Sequence, residues 1–128
     1  MQSIIYIALA GAAGAVTRYG VGVLANRTLG DHFAFGTLLV NVLGCLAIGV
    51  LVEAERSTDL VTHPLRMLLM VGFLGAFTTF SAFGYETLRF VQNGTPNLAM
   101  LNLSANIVLG LGAVWVGFLV GRAAFPAA

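Results

Sequence analysis

The sequence predicts an all-α membrane protein with four transmembrane helices, and three observations lead to this class. Hydrophobic residues make up 59% of the 128 residues and charged residues only 9%, with a mean hydropathy of +0.94, whereas soluble domains carry roughly 25% charged residues. The apolar residues form four runs, each long enough for the roughly 20 residues that cross a bilayer. The connecting segments are short. We therefore expect residues 1–128 to form a single four-helix transmembrane domain without a soluble domain.

The first predicted span covers about residues 4–24 and the second about residues 35–52. The third apolar run, about residues 65–91, is too long for one plain spanning helix and has glycines and hydroxyl side chains near its middle. It is predicted to be a helix interrupted at mid-membrane, near residues 75–79. Backbone groups freed at that depth must be satisfied by protein, water or an ion, so the break indicates a site. The fourth span covers about residues 98–120.

Positive charge does not favour one orientation in the membrane. The arginines divide evenly between the two sides, with Arg56, Arg66 and Arg122 on the side of both termini and Arg18, Arg27 and Arg89 on the other. Because the positive-inside rule counts such residues, either the chain inserts both ways or an unseen factor orients it. Insertion both ways would let an antiparallel pair recreate the inverted repeats of larger transporters.

Two spans carry uncharged polar stripes. Asn41 lies near the middle of the second span with Thr37 four residues earlier, and Asn102 and Asn106 are four apart in the fourth span. Residues four apart share one face of a helix. Hydrogen bonding between helices would explain one such asparagine. Neutral donors on two helices, with no acidic residue at the centre of a span, suit a desolvated anion better than a cation.

Four further residues are candidates for an ion path. Phe80 and Phe83 face one way if the chain is helical after the break. Packing or lipid contact is the ordinary interpretation, and contact of their positive ring edges with an anion is the alternative. Arg18, near the end of the first span, either snorkels to the interface or draws anions into a mouth. Glu86 either lies near a vestibule or marks the interface.

Catalytic chemistry has no support in the sequence. There is no P-loop, dinucleotide fingerprint, nucleophile elbow or zinc spacing, and Cys45 is the single cysteine. We therefore predict that the protein is not an enzyme and has no nucleic-acid partner.

Two blocks of residues resemble a known family. These blocks are Gly36-Thr37 with Val40-Asn41, and Gly72-Phe73-Leu74-Gly75 followed by Thr78-Thr79-Phe80-Ser81-x-Phe83 with Glu86. Both closely resemble the Fluc/CrcB family of fluoride channels, and the resemblance covers essentially the whole chain. It implies passive export of fluoride by an antiparallel, dual-topology homodimer in the inner membrane of a prokaryotic cell.

The same resemblance assigns roles to individual residues. Six side chains would line or support the fluoride pathway: Asn41, Phe80 and Phe83, with Thr37, Thr79 and Ser81. The backbone carbonyls of Gly75 and Thr78 would bind a structural sodium ion at the dimer centre that is not transported. Asn102 and Asn106 would belong to the polar track, at positions where other members show different polar residues.

Two other functions remain open on the sequence alone. A small dual-topology exporter of cationic drugs has the same size and number of spans, but it would be expected to hold a carboxylate in the membrane, and the first span has no Asp or Glu. An assembly or lipid-scaffold protein would leave the two polar stripes unexplained.

Overall fold

The computed structural model describes residues 2–126, so the first residue and the last two of the predicted domain lie outside it. The first, second and fourth spans are single helices: α1 (Gln2–Leu29), α2 (Phe35–Ser57) and α6 (Pro96–Ala124). The third span, His63–Gln92, is composed of α3 (His63–Arg66), a π-helical segment (Met67–Leu74), α4 (Gly75–Phe77) and α5 (Phe80–Gln92). All four spans are long and apolar enough to cross a membrane. The predicted all-α class with four spans is therefore confirmed.

The helices extend a few residues beyond the predicted spans because the apolar run marks only the part in hydrocarbon. Beyond it the helical bonds continue, as in α1, where Thr28 Oγ1 adds a bond of 2.8 Å to the Leu24 carbonyl. The predicted interruption is present at Thr78 and Thr79, both of which have extended backbone. Gly75 itself is helical, with φ −61° and ψ −34°, so the glycine does not make the break.

Close glycine contacts join the helices. Gly49 on α2 faces Gly117 on α6, and a Cβ added to either would lie 3.0 Å from the Cα of the other. Gly121, one turn further along α6, packs against the side chain of Glu53. The Gly117 and Gly121 pair, which could equally have served an oligomer, therefore packs two helices of one chain. α1 packs against the π-helical segment, and α6 also packs against α5.

Charged residues lie at the two ends of the bundle as four spans predict. At one end Arg66 contacts Glu55 at 3.5 Å and Arg122 contacts Glu53 at 3.3 Å. At the other end Arg18 and Arg89 line the same cleft. The single chain thus has arginine side chains at both ends of the bundle.

Candidate functional site

The break in the third span is closed by one side chain of α2. Asn41 Oδ1 accepts from the Thr79 backbone N–H at 2.9 Å, and Asn41 Nδ2 donates to the Thr79 carbonyl at 3.1 Å. Thr79 Oγ1 then caps α5 by accepting from the Ala82 N–H at 3.2 Å. Because non-helical backbone survives in a membrane only when it is satisfied, Asn41 is what allows extended residues at this depth.

Two carbonyls beside the break lose their regular helical partners. The N–H that would bond to the Gly75 carbonyl belongs to Thr79 and is bound by Asn41. The N–H that would bond to the Thr78 carbonyl belongs to Ala82 and is bound by Thr79 Oγ1. Neutral carbonyl oxygens of this kind can replace the hydration shell of a monovalent cation, so they fit such an ion. Arg18 Nη1 approaches the Thr78 carbonyl at 3.5 Å and uses part of its accepting capacity.

A polar cleft of about 780 Å³ opens on one side of the break. Five predicted site residues line it: Arg18, Thr37, Thr79, Ser81 and Glu86. Thr37 Oγ1 donates to Glu86 Oε1 at 2.8 Å across the wall. The cleft also has Asn26, Asp31 and Arg89 in its walls. The cleft is therefore shaped as a vestibule lined by charges of both signs, and Glu86 is one of its lining residues.

A second, more apolar cavity of about 450 Å³ lies on the other side of the break. Its walls include Asn41, Asn106, Thr78, Thr79, Phe80 and Phe83, together with Gly75 and apolar side chains such as Leu74. No carboxylate is among the residues that line it. Thr79 borders both the cleft and this inner cavity. The hydrogen-bonded contact between Asn41 and Thr79 thus separates the cleft from the inner cavity.

The two phenylalanines differ in their surroundings. Phe83 is 8% exposed, whereas Phe80 is 82% exposed in the single chain. Their ring centroids are 5.5 Å apart and the ring planes are inclined by 61°, so one ring turns its edge to the other. The two rings therefore lie on the same side of α5, as predicted, and the exposed ring of Phe80 is available to a partner chain or to lipid.

Behind the inner cavity the polar side chains continue as a hydrogen-bonded chain. Asn41 Nδ2 donates to Asn106 Oδ1 at 2.9 Å, and Asn106 Nδ2 donates to Asn102 Oδ1 at 3.1 Å. Asn102 Nδ2 donates to Thr87 Oγ1 at 2.8 Å. Asn102 is 0% exposed and is absent from the walls of both spaces. The two predicted polar stripes therefore meet, with Asn102 placed behind Asn106.

A family model described as "CrcB-like protein, Camphor Resistance (CrcB)" matches residues 5–118. The chain belongs to the CrcB family. Proteins named "Fluoride-specific ion channel FluC" are similar to it, that of Dehalococcoides mccartyi being 46% identical over 94% of this chain and 93% of the relative. The protein of that name from Acidobacterium capsulatum is 42% identical over 92% of this chain and 94% of the relative.

Membership of the CrcB family confirms the resemblance inferred from the sequence motifs. With four spans, this CrcB protein is a multi-pass membrane protein of a prokaryote. The individual roles assigned to its site residues stay predictions. The structure gathers all of them around the break, in the cleft, the inner cavity or the asparagine chain.

Three further residues belong to this CrcB site, although the sequence patterns did not indicate them as site residues. Thr87 lies four residues after Phe83, and that spacing on one helix face is the signal that could have identified it. Gly44 lies directly against the Thr78 side chain, three residues after Asn41. Arg89 follows Glu86 at the spacing that places both in the cleft.

Proposed function

We propose that this chain is a fluoride-specific ion channel through which fluoride leaves the cytoplasm passively, which relieves fluoride toxicity. The name of its relatives supports this function, because they match over nearly the whole chain at up to 46% identity among those compared. A channel forms no covalent intermediate, and the protein is not an enzyme. Fluoride would enter the cell as neutral HF and dissociate in the less acidic cytoplasm.

One observation carries the proposal. Asn41 and Thr79 join a charged cleft to an inner cavity whose walls have neutral polar groups and phenylalanines, without a carboxylate. An anion that sheds water needs donors, and hydroxyl groups and positive ring edges supply them without a full charge that would hold it. The same walls count against a proton-coupled exporter of cations, which would need a carboxylate at depth.

Within the path, the donors would act in sequence. Arg18 and Arg89 raise the local anion concentration in the cleft by their charge. The Ser81 and Thr79 hydroxyl groups, 3.2 Å apart, follow at the break. Beyond them Phe80 and Phe83 would present ring edges. Both N–H groups of Asn41 already bond within the chain, so Asn41 contributes mainly by shaping the passage.

We further propose that the working unit is an antiparallel, dual-topology homodimer. The even division of arginines between the two sides supports insertion in both orientations. Phe80 is 82% exposed in the single chain although it borders the inner cavity. A second copy would cover that opening and complete the path.

A structural sodium ion at the centre of such a dimer is also part of the proposal. The Gly75 and Thr78 carbonyls have lost their helical partners and would supply neutral oxygens from each chain. The partial negative charges of these oxygens would bind the sodium ion, which would hold the two third spans together. It would not be carried with fluoride.

Reconstitution in liposomes tests the function. Purified protein in fluoride-loaded vesicles should release fluoride when charge is balanced by a potassium ionophore, and chloride-loaded vesicles should retain chloride. A cationic drug with an imposed proton gradient tests the exporter. Drug transport without fluoride release would refute the channel, and transport of neither would support the scaffold interpretation.

A further inference from the structure

Thr87 lies on α5 one turn after Phe83 and is absent from the walls of both the cleft and the inner cavity. Its hydroxyl donates to the Phe83 carbonyl at 2.8 Å. Asn102 Nδ2 approaches the same Oγ1 at 2.8 Å. Because a hydroxyl has one proton, and that proton is directed to Phe83, Thr87 can meet Asn102 only as an acceptor.

The contact ends a chain of hydrogen bonds that runs in one direction. It starts at the Thr79 backbone N–H, which donates to Asn41. Each carboxamide then donates to the next, from Asn41 to Asn106 and from Asn106 to Asn102. Both ends of the chain are backbone groups, whose donor or acceptor nature cannot be reversed, whereas a free carboxamide can turn over. The two ends, together with the Asn102 backbone carbonyl to which Asn106 Nδ2 also donates at 3.0 Å, therefore fix which way every asparagine points.

Loss of the Thr87 acceptor would affect the asparagines unequally. Asn102 is fully buried, so its amide N–H groups would lose their partner in a place that water does not reach. If Asn102 turned over instead, its N–H groups would face those of Asn106. In the first case the Asn102 oxygen is held less firmly, and in the second case Asn106 loses it as an acceptor. Asn106 Nδ2 then keeps only its 3.0 Å bond to the Asn102 backbone carbonyl, whereas Asn41 keeps both of its bonds to Thr79.

We propose that Thr87 is a positioning residue of the fluoride path: by accepting from Asn102 it holds Asn106 in the wall of the inner cavity. This inference rests on the proposed function for its effect on transport. It assigns no contact between Thr87 and the ion. The same hydroxyl also holds the carbonyl of Phe83, so one residue supports both the polar and the aromatic wall.

Fluoride efflux from liposomes tests the role with a nearly isosteric change. Thr87→Val should lower the efflux rate by about tenfold, the scale of one buried hydrogen bond lost with a partner left unpaired. Thr87→Ser keeps the acceptor and should restore most of the rate. The matched control is Thr17→Val, since Thr17 makes the same bond to the carbonyl four residues earlier but lies exposed on α1. Equal rates for Thr87→Val and the unmodified protein would overturn the proposal.

Hydrogen exchange of the asparagine side-chain amides, measured by NMR, gives a second readout that needs no fluoride. In Thr87→Val the Asn106 amide proton that faces Asn102 Oδ1 should exchange about tenfold faster, while the Asn41 proton that faces Thr79 keeps its rate. Equal acceleration of both would indicate general loosening and would overturn the positioning role. If the unmodified protein passes no fluoride, the proposed function fails, and this exchange pattern still decides the role of Thr87.

A double variant covers the case in which Thr87→Val does not fold. Thr87→Val with Asn102→Leu removes both partners of the buried bond, so no amide is left unpaired at position 102. Asn106 Nδ2 loses its bond to Asn102 Oδ1 and keeps its bond to the backbone carbonyl of residue 102. We expect this protein to fold, with Asn106 exchanging as fast as in the single variant. Protection of Asn106 at the unmodified level would contradict the inference.

Discussion

Asn41 binds Thr79 twice, once through its oxygen to the backbone N–H at 2.9 Å and once through its nitrogen to the carbonyl at 3.1 Å. A carboxamide both accepts and donates, so one side chain replaces the bond that a continuous helix would have given the Thr79 N–H and adds a second bond at the Thr79 carbonyl. A carboxylate could satisfy only the N–H. The break in the third span therefore depends on the chemical type of a residue on α2.

The first prediction concerns this pairing. Asn41→Asp should reduce fluoride efflux more than tenfold, because its carboxylate would face the Thr79 carbonyl and Asn106 Oδ1, both of which are acceptors; the repulsion and lost bonds cost about 1–3 kcal/mol each. Asn41→Ala should also reduce efflux. A fluoride electrode on liposomes measures the rate, and Asn97→Asp, an exposed asparagine at the start of α6, is the control. Normal rates in both Asn41 variants would remove this residue from the path.

The second prediction separates the two phenylalanines. Phe83→Ile and Phe80→Ile should both impair fluoride efflux, because each loses a positive ring edge. Phe83→Ile should also lower the melting temperature of the detergent-solubilised protein more than Phe80→Ile does, because only Phe83 is buried within its own chain. Phe125→Ile near the end of the described chain serves as control. If Phe80→Ile leaves efflux unchanged, the exposed ring has no part in conduction.

The third prediction concerns Gly44, which leaves room for the Thr78 side chain. A Cβ at this position would overlap Thr78 Cγ2, and overpacking of this kind costs about 1–3 kcal/mol. Gly44→Ala should therefore lower thermal stability and efflux. Gly20→Ala is the matched control, since nothing lies within 4 Å of a Cβ there and alanine favours a helix by about 1 kcal/mol. An equally stable Gly44→Ala protein would show that the break can shift.

The fourth prediction concerns orientation. In a protein with Cys45 replaced by alanine, a cysteine at Asp31, an exposed residue between α1 and α2, should react with an impermeant thiol reagent from both faces of the membrane. Lysines in place of Asp59 and Leu60 should bias insertion toward one orientation and lower efflux. A partner chain biased the other way should restore it. Labelling from a single face in the unbiased protein would contradict dual topology.

The fifth prediction concerns the cation. Prolonged replacement of sodium by a large organic cation on both sides of the membrane should reduce fluoride efflux and lower the melting temperature. Crystals soaked in rubidium should give anomalous density near the Gly75 and Thr78 carbonyls. Unchanged efflux and stability, with no density there, would leave these carbonyls without a bound ion.

Sequence patterns were sufficient for the membrane class, the four spans and the presence of a break. These features depend on composition and on the length of each apolar run, because the roughly 30 Å hydrocarbon core sets how many apolar residues a spanning helix needs. The candidate residues were also visible, because an asparagine in an apolar run is costly unless it is paired. Asn41, Asn102 and Asn106 could be selected in this way, but their partners could not.

Only the tertiary structure decided where the break falls and what satisfies it. The glycines around Gly75 suggested the position, yet the extended residues are Thr78 and Thr79, because Asn41 lies opposite them on α2. The direction of the asparagine chain, and the part of Thr87 in it, likewise depend on contacts between residues up to 65 positions apart. A linear pattern records which face of a helix is polar. It does not record which other helix that face meets, since this is set by the packing of all four spans.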